Sequence, residues 1–250
     1  MKNTLIVIPH PDDEIVGATF IIKKVLKSNN VIIFFLTNGV ISKEDMWLWQ
    51  RNNHEMIVDK RLKEMLKVIK ELKIKRHYIQ DIPTRHLKQN IVETFETIKK
   101  IIKFNKIDTI FCPAYEGGHQ DHDVANFICS KFKKKYNVFE FAEYNYFCNK
   151  INCNKFINTI NKENIIYLSE EEKNIKRKLL EMYSSEKKNL DYISLEKETY
   201  RKIANYDYSL PPHSGRVFYR RFSIFSWHPR VDSDEPKNIS NIIINSEINK

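Results

Sequence analysis

Four apolar residues in a row, Leu5 to Ile8, run straight into Pro9-His10-Pro11-Asp12-Asp13-Glu14. A strand that is apolar at every position has no solvent face, so it belongs in a parallel sheet covered by helices on both sides. Thr4–Ile8, Val31–Leu36, Tyr78-Ile79, Thr109–Cys112 and Val138–Phe141 all read as strands, bounded by Pro, Gly or charged residues. Helical spacing fills the gaps. Ile15, Val16, Phe20, Ile22, Val25 and Leu26 recur on one face of Glu14–Lys27, and Leu62, Met65, Leu66, Ile69 and Leu72 on one face of Trp47–Leu72. Ile91–Phe104 and Val124–Phe132 have the same period.

Strand–helix alternation of this kind builds right-handed βαβ units. The expected fold class is α/β, Rossmann-like: a mostly parallel sheet with helices on both faces, plus a C-terminal extension. At 250 residues one domain is expected, with the core over 1–145 and an extension over 146–230 completing the same domain. In the extension Ile165–Leu168 reads as a strand, and Ser169 with Glu172 as a capping box opening a helix toward Lys188. Tyr206–Arg230 has aromatics, prolines and arginines but no period. Residues 231–250 read as an exposed tail in which Ile242–Ile244 could add an edge strand.

Lys+Arg number 42 against 32 Asp+Glu, a net charge of +10, which favours anionic partners such as phosphorylated substrates or a membrane surface. No nucleic-acid motif accompanies the charge, so no nucleic-acid partner is expected. No apolar run approaches the ~20 residues of a membrane span. The apolar start is cut short at Pro9, unlike a secretory signal, and Cys112, Cys129, Cys148 and Cys153 form no CxxC pair. Free thiols in a reducing cytoplasm are therefore expected.

The loop after the first strand carries carboxylates where a dinucleotide site would carry glycines. It would repel a pyrophosphate and attract a divalent cation. Asp12, Asp13 and Glu14 also suit a helix N-terminus, but that account leaves the histidine between two prolines unexplained. The second constellation is Gly117-Gly118-His119-Gln120-Asp121-His122-Asp123, which spends two of only 5 glycines beside two histidines. An HxxH alone is weak. The two loops together are not, because both should leave the carboxyl edge of one sheet, where α/β folds bind ligands. Thr37-Asn38-Gly39 and Asp81 end the second and third strands on that same edge. A His, an Asp and a second His around an open position would suit one catalytic Zn2+ per chain, with Fe2+ or Co2+ also able to fit.

Pro-His-Pro-Asp-Asp-Glu after the first strand, with His-x-x-His after the fourth, resembles the PIG-L/LmbE-type N-acetylglucosaminyl deacetylases. These are zinc hydrolases with a Rossmann-like fold. The resemblance spans roughly Thr4 to Glu143, and its lesser matches are Thr37-Asn38-Gly39, the Arg61-x-x-Glu64 pair, and Lys176 to Ser185, which ends in Ser184-Ser185. It implies that His10, Asp13 and His122 hold the metal and that Asp12 is the general base. It implies further that His119 faces the amide carbonyl oxygen with Asp121 behind it as orienting partner, and that Arg61, Asn38 and Asp81 touch the sugar or its carrier. Some members carry a tyrosine where this chain has Gly117, with Tyr115 two residues away. The segment Gln80-Asp81-Ile82-Pro83 lacks the common Asp-Gly turn.

The implied reaction is removal of an N-acetyl group from an amino sugar, as a small molecule or within a nucleotide- or lipid-linked glycan precursor. Alternatives are a deacylase of a non-sugar amide, and a relative that binds metal or sugar without catalysis. Trp47 and Trp49 could stack on a sugar or pack locally. His54, His77 and His86 read as surface or capping residues, and Cys112 as core. Arg216, Arg220, Arg221 and Arg230 could clamp a phosphate, or their segment could simply wrap the domain.

Overall fold

The structure is a computed structural model, and it describes residues 2–187, 190–225, 227–229 and 231–249. A seven-stranded sheet runs in the order β3-β2-β1-β4-β5-β9-β8. Its first five strands are parallel: β1 (Asn3–Ile8), β2 (Asn30–Phe35), β3 (Arg76–Ile79), β4 (Thr109–Pro113) and β5 (Asn137–Phe141). β9 (Lys197–Lys202) joins β5 antiparallel, and β8 (Glu163–Tyr167) joins β9 antiparallel. A hairpin of β6 (Tyr144–Asn145) and β7 (Asn152–Cys153) stands apart. The mostly parallel sheet expected from the apolar runs is present.

Strand alternation divides the core in two. Leu5 and Val7 point into one cluster with Ile98 and Ile102 of α4 (Ile91–Asn105) and Phe127 and Ile128 of α5 (Gln120–Ser130). Ile6 and Ile8 point the other way, onto Ile21 of α2 (Thr19–Leu26), Met65 and Ile69 of α3 (His54–Glu71) and Leu179 of α6 (Glu170–Glu181). All four side chains of β1 are fully buried. Truncating one of these isoleucines to alanine typically costs about 2–5 kcal/mol.

Several expectations change in detail. The helix read over Glu14–Lys27 is broken into α1 (Asp13–Val16) and α2. A Cβ at Gly17 would sit 2.6 Å from Cγ of Glu143 and 2.7 Å from Cδ2 of Phe141, so the chain bends where β5 ends against it. The helix read from Trp47 begins as a 3-10 turn over Leu48–Asn53 that buries nothing, and α3 proper starts at His54. The capping box at Ser169 and Glu172 forms, opening α6; Lys188 lies outside the described residues.

The tail is a correction. Among the described residues, 231–249 are not simply an exposed tail, and Ile242–Ile244 is no edge strand: Pro236–Asn245 forms helix α7, whose Ile239 and Ile243, one turn apart, enter the core. A short apolar run is ambiguous between strand and helix until its neighbours are known.

Strand β9 had no sequence signal because its buried positions are polar. Glu198 pairs with Lys176 at 2.7 Å, and Arg201 with Glu140 at 2.8 Å, all four side chains shut off from solvent. Glu198 Oε2 accepts the N–H groups of Phe20 and Ile21 at 2.8 and 3.1 Å, which caps the N-terminus of α2 with negative charge.

Candidate active site

The strand order reverses between β1 and β4, so the loops after these two strands flank a crevice at the carboxyl edge of the sheet. The first loop is held from behind. Pro9 O accepts from the Thr37 hydroxyl at 2.9 Å and the Thr37 N–H at 3.0 Å. Gly39, at φ +76°, lies so close that a Cβ would be 2.8 Å from Cδ of Pro11. Arg61 donates through Nη1 to Pro11 O at 3.2 Å. Asp12 then turns at φ 133°, a conformation costly for any residue but glycine. Its N–H donates to Glu14 Oε2 at 2.9 Å, and Glu14 Oε1 in turn accepts from the Tyr183 hydroxyl at 2.5 Å.

The second loop delivers α5. His119 is its N-cap, and His119 Nδ1 accepts the Asp121 backbone N–H at 3.1 Å. A neutral His119 therefore carries its proton on Nε2. Burial, with His10 and then His122 nearby, pushes its pKa well below the usual histidine value. His122, one turn on, lies almost fully buried.

The two loops meet in one cluster. His10 Nδ1 lies 3.0 Å from Asp13 Oδ2, His122 Nε2 lies 3.1 Å from the same oxygen, and the two nitrogens are 3.3 Å apart. The outer nitrogens are also engaged. His10 Nε2 is 2.9 Å from Asp121 Oδ2, and His122 Nδ1 is 3.5 Å from Glu143 Oε2. A carboxylate accepting the Nε2 proton leaves Nδ1 of His10 bare and turned inward, the arrangement metal-binding histidines use. Two imidazole nitrogens and one carboxylate oxygen fit a zinc-type divalent cation. The overlapping set His10, His119 and Asp121 fits less well, because Nδ1 of His119, the nitrogen nearest Asp121 Oδ2, already accepts the Asp121 backbone N–H.

Electrostatics follow from the crowding. Burial opposes charge on His10, but the Asp13 and Asp121 carboxylates override it and raise its pKa to about 10. Burial would raise Asp13, yet His122 and His10 hold it well below the carboxylate range. Asp12 moves the other way: burial and then the Asp13 charge push it up, opposed by Arg61, whose Nη1 is 3.9 Å from Asp12 Oδ2. Burial also lifts Glu143, with the Asp13 charge adding to it.

The remaining expected residues separate. Asp121 lies closer to His10 than to His119: its Oδ2 is 2.9 Å from His10 Nε2 and 3.6 Å from His119 Nδ1, and it accepts the Arg85 N–H at 2.7 Å. Arg61 is buried, its other donors taken by Ser185 Oγ at 2.9 Å and by Glu186. Glu64 accepts from both Ser184 and Ser185, so the Arg-x-x-Glu pair of α3 clasps the end of α6. Asn38 donates to Asp81 at 2.9 Å, joining the loops after β2 and β3. Arg216 is not in the cluster; it is exposed on a cavity of about 670 Å³ also lined by His213, Arg220 and Glu235. Tyr115 turns away, its hydroxyl donating to Leu210 O at 2.8 Å.

Two neighbours escaped the sequence reading. Glu143 follows β5 on the same sheet edge, which was the signal available for it. Tyr219, whose ring centroid is 6.4 Å from that of His119, comes from the aperiodic segment and had none.

The sequence profile of the family described as PIG-L, GlcNAc-PI de-N-acetylase, matches residues 5–133, just over half of the chain. The chain belongs to this family, and it is a deacetylase. No curated protein matches the sequence. Among solved structures, a teicoplanin-pathway deacetylase is 15% identical with a TM-score of 0.64, the match covering 82% of this chain and 99% of that one. A zinc-inhibited form of teicoplanin deacetylase is 13% identical at 0.61, covering 82% and 99%. The N,N'-diacetylchitobiose deacetylase of Pyrococcus horikoshii is 17% identical at 0.58, covering 84% of each chain. The fold also matches the 4-carboxy-2-hydroxymuconate hydratase GalB of Pseudomonas putida, 13% identical at 0.50, covering 82% and 98%. Fold likeness alone therefore does not choose the chemistry.

Proposed function

We propose that the chain hydrolyses the acetamide of an N-acetylglucosamine-type amino sugar borne on a nucleotide- or lipid-linked carrier, with zinc held by His10, Asp13 and His122. The observation that carries this reading is the convergence of three donor atoms within 3.0 to 3.3 Å of one another, beside Asp12 and His119. When bound, the ion would supply Lewis acidity, which can bring the pKa of a bound water down to roughly 7. Fe2+ or Co2+ would use the same donors.

The residues of the chain then divide the work. Asp12, with its proton affinity raised by burial and by Asp13, takes the proton of the attacking water and returns it to the departing nitrogen. Such transfer is typically worth about 10²–10⁴ in rate. The C–N bond breaks, the water oxygen stays on the acetyl carbon with the second water proton, and the amine leaves with acetic acid, which gives up that proton to solvent as acetate. His119 donates its Nε2 proton in a hydrogen bond to the carbonyl oxygen as charge develops there. It does this as a neutral imidazole, so Asp121 serves His10 and not a charged His119. Arg61 holds the Asp12 turn from behind; Asn38 and Asp81 form the sugar-side rim, and Arg216 meets a phosphate of the carrier.

A non-sugar amide would use the same groups. A non-catalytic relative would need the metal ligands but neither Asp12 nor His119. The test is release of primary amine across N-acetylated sugars, nucleotide sugars and lipid-linked sugars, with and without chelator. Chelator-sensitive release from amino sugars is expected; release only from non-sugar amides, or none at all, overturns the reading.

A further inference from the structure

Exposed aromatic side chains from two distant segments of the chain meet at the surface. The 3-10 turn after β2 presents Trp49, 70% exposed and stacked on Trp47 with ring centroids 4.9 Å apart. Trp47 lies 6.2 Å from Trp227, which is 67% exposed and comes from the far end of the chain. Just before Trp227, Phe222, Ile224 and Phe225 are exposed in two successive tight turns, Ile224 to 84%. Two segments nearly 180 residues apart in sequence thus build one face.

The charge around it is one-sided. Between Asp207 and Asp232 there is no carboxylate, while Arg216, Arg220, Arg221 and Arg230 fall in the interval. Arg220 is spent on Glu235 and the Asp232 carbonyl, and Arg230 lies outside the described residues. Arg216 is exposed. The Arg221 guanidinium lies over the rings of Phe218 and Phe222, at 3.6 and 4.6 Å. On the Trp49 side, Glu44 and Asp45 are the neighbouring acids, and Asp45 is held by Ser42 and His86.

The face is fastened to the site. Arg85 donates its backbone N–H to Asp121 at 2.7 Å and its guanidinium to Pro229 O at 2.9 Å, two residues beyond Trp227. Among the described residues no helix is long and apolar enough to cross a membrane.

We propose that this face seats the protein on an anionic phospholipid bilayer. Indole rings favour the headgroup level of a bilayer, and arginines favour anionic lipid. A net charge of +10 adds a long-range attraction that salt would screen. Bare aromatic and aliphatic side chains flanked by arginine, with few acids, suit a lipid surface better than the mixed rim of a protein interface. The surface stands independently of which substrate the site takes.

The test is flotation of the full chain with vesicles of phosphatidylcholine and of an equimolar phosphatidylcholine–phosphatidylglycerol mixture. The unaltered chain should bind the anionic vesicles with a blue shift of tryptophan fluorescence. The double variant Trp49→Ser/Trp227→Ser, and separately Ile224→Asp, should bind at least about tenfold more weakly at the same salt. Melting temperature and metal content of both variants should match the parent, since these side chains are exposed. No binding by the unaltered chain overturns the proposal. So does equal binding by the variants, which would make attraction by the lysine-rich surface sufficient. Self-association that the double variant abolishes, without vesicle binding, would also overturn it and make the face a contact between copies of the chain.

Discussion

Two of the groups of buried charges among the described residues are built on opposite rules. In the C-terminal half, Lys176 meets Glu198 and donates also to Val16 O at 2.9 Å, while Arg201 meets Glu140, Tyr206 and the Asn158 carbonyl. Each positive group has a carboxylate, and the spare polar atoms have partners. At the carboxyl edge of the sheet the pattern differs. His10, Asp13 and His122 turn their donor atoms toward one point, and neither Glu143 oxygen has a hydrogen-bond partner among the described residues. A closed set of charges holds structure together. An open, convergent one is suited to something from outside, here the proposed cation.

The largest effect that could sharpen this contrast is on catalysis. Asp12 belongs to the open group but is assigned a proton, not the metal. Asp12→Asn should lower turnover by about 10²–10⁴ with metal content unchanged, measured by amine release and elemental analysis. Unimpaired turnover would remove Asp12 from the mechanism.

Stability separates the groups next. Lys176→Met strands Glu198 and should cost about 3–5 kcal/mol in denaturant unfolding, with metal binding retained. Glu143→Gln touches a carboxyl with no hydrogen bond among the described residues and only a 3.5 Å approach to His122 Nδ1, so the metal-free protein should change by less than about 1 kcal/mol. Equal losses in the two variants would erase the distinction.

A pH dependence should follow from His10. Its pKa is raised from 6.5 to about 10 in the metal-free protein, so the charged imidazolium contributes stability that is complete below 6.5 and fades as pH climbs through 10. Melting of metal-free protein should therefore lose stability across that window, and His10→Ala should flatten this part of the curve. Cation binding must expel the same proton, so apparent affinity should rise with pH over the same range. The smallest effect is expected at Arg216, outside the open group. Arg216→Ala should raise KM severalfold for a phosphate-linked substrate and leave a simple N-acetyl sugar unchanged.

The contrast also explains what the sequence made legible. The parallel half announced itself because β1, β2 and β4 carry continuous apolar runs, and the site because carboxylates and histidines stand where such strands end. β9 stayed hidden, since Glu198 and Arg201 are polar in sequence and become core only when Lys176 and Glu140 arrive from elsewhere. The Asp121–His10 contact was equally invisible: the resemblance implied Asp121 behind His119, while the contact to His10 spans 111 residues. The strain at Asp12 depends on Gly39, Arg61 and Glu14 acting together, which no local pattern encodes.

The central claim is that the open cluster is completed by one divalent cation. Calorimetric titration of chelator-treated protein with Zn2+ tests it most directly. The account predicts one ion per chain with proton release, and loss of that binding in both His122→Ala and Asp13→Ala while Lys176→Met still binds. Absence of stoichiometric binding, or full binding by both ligand variants, would contradict it.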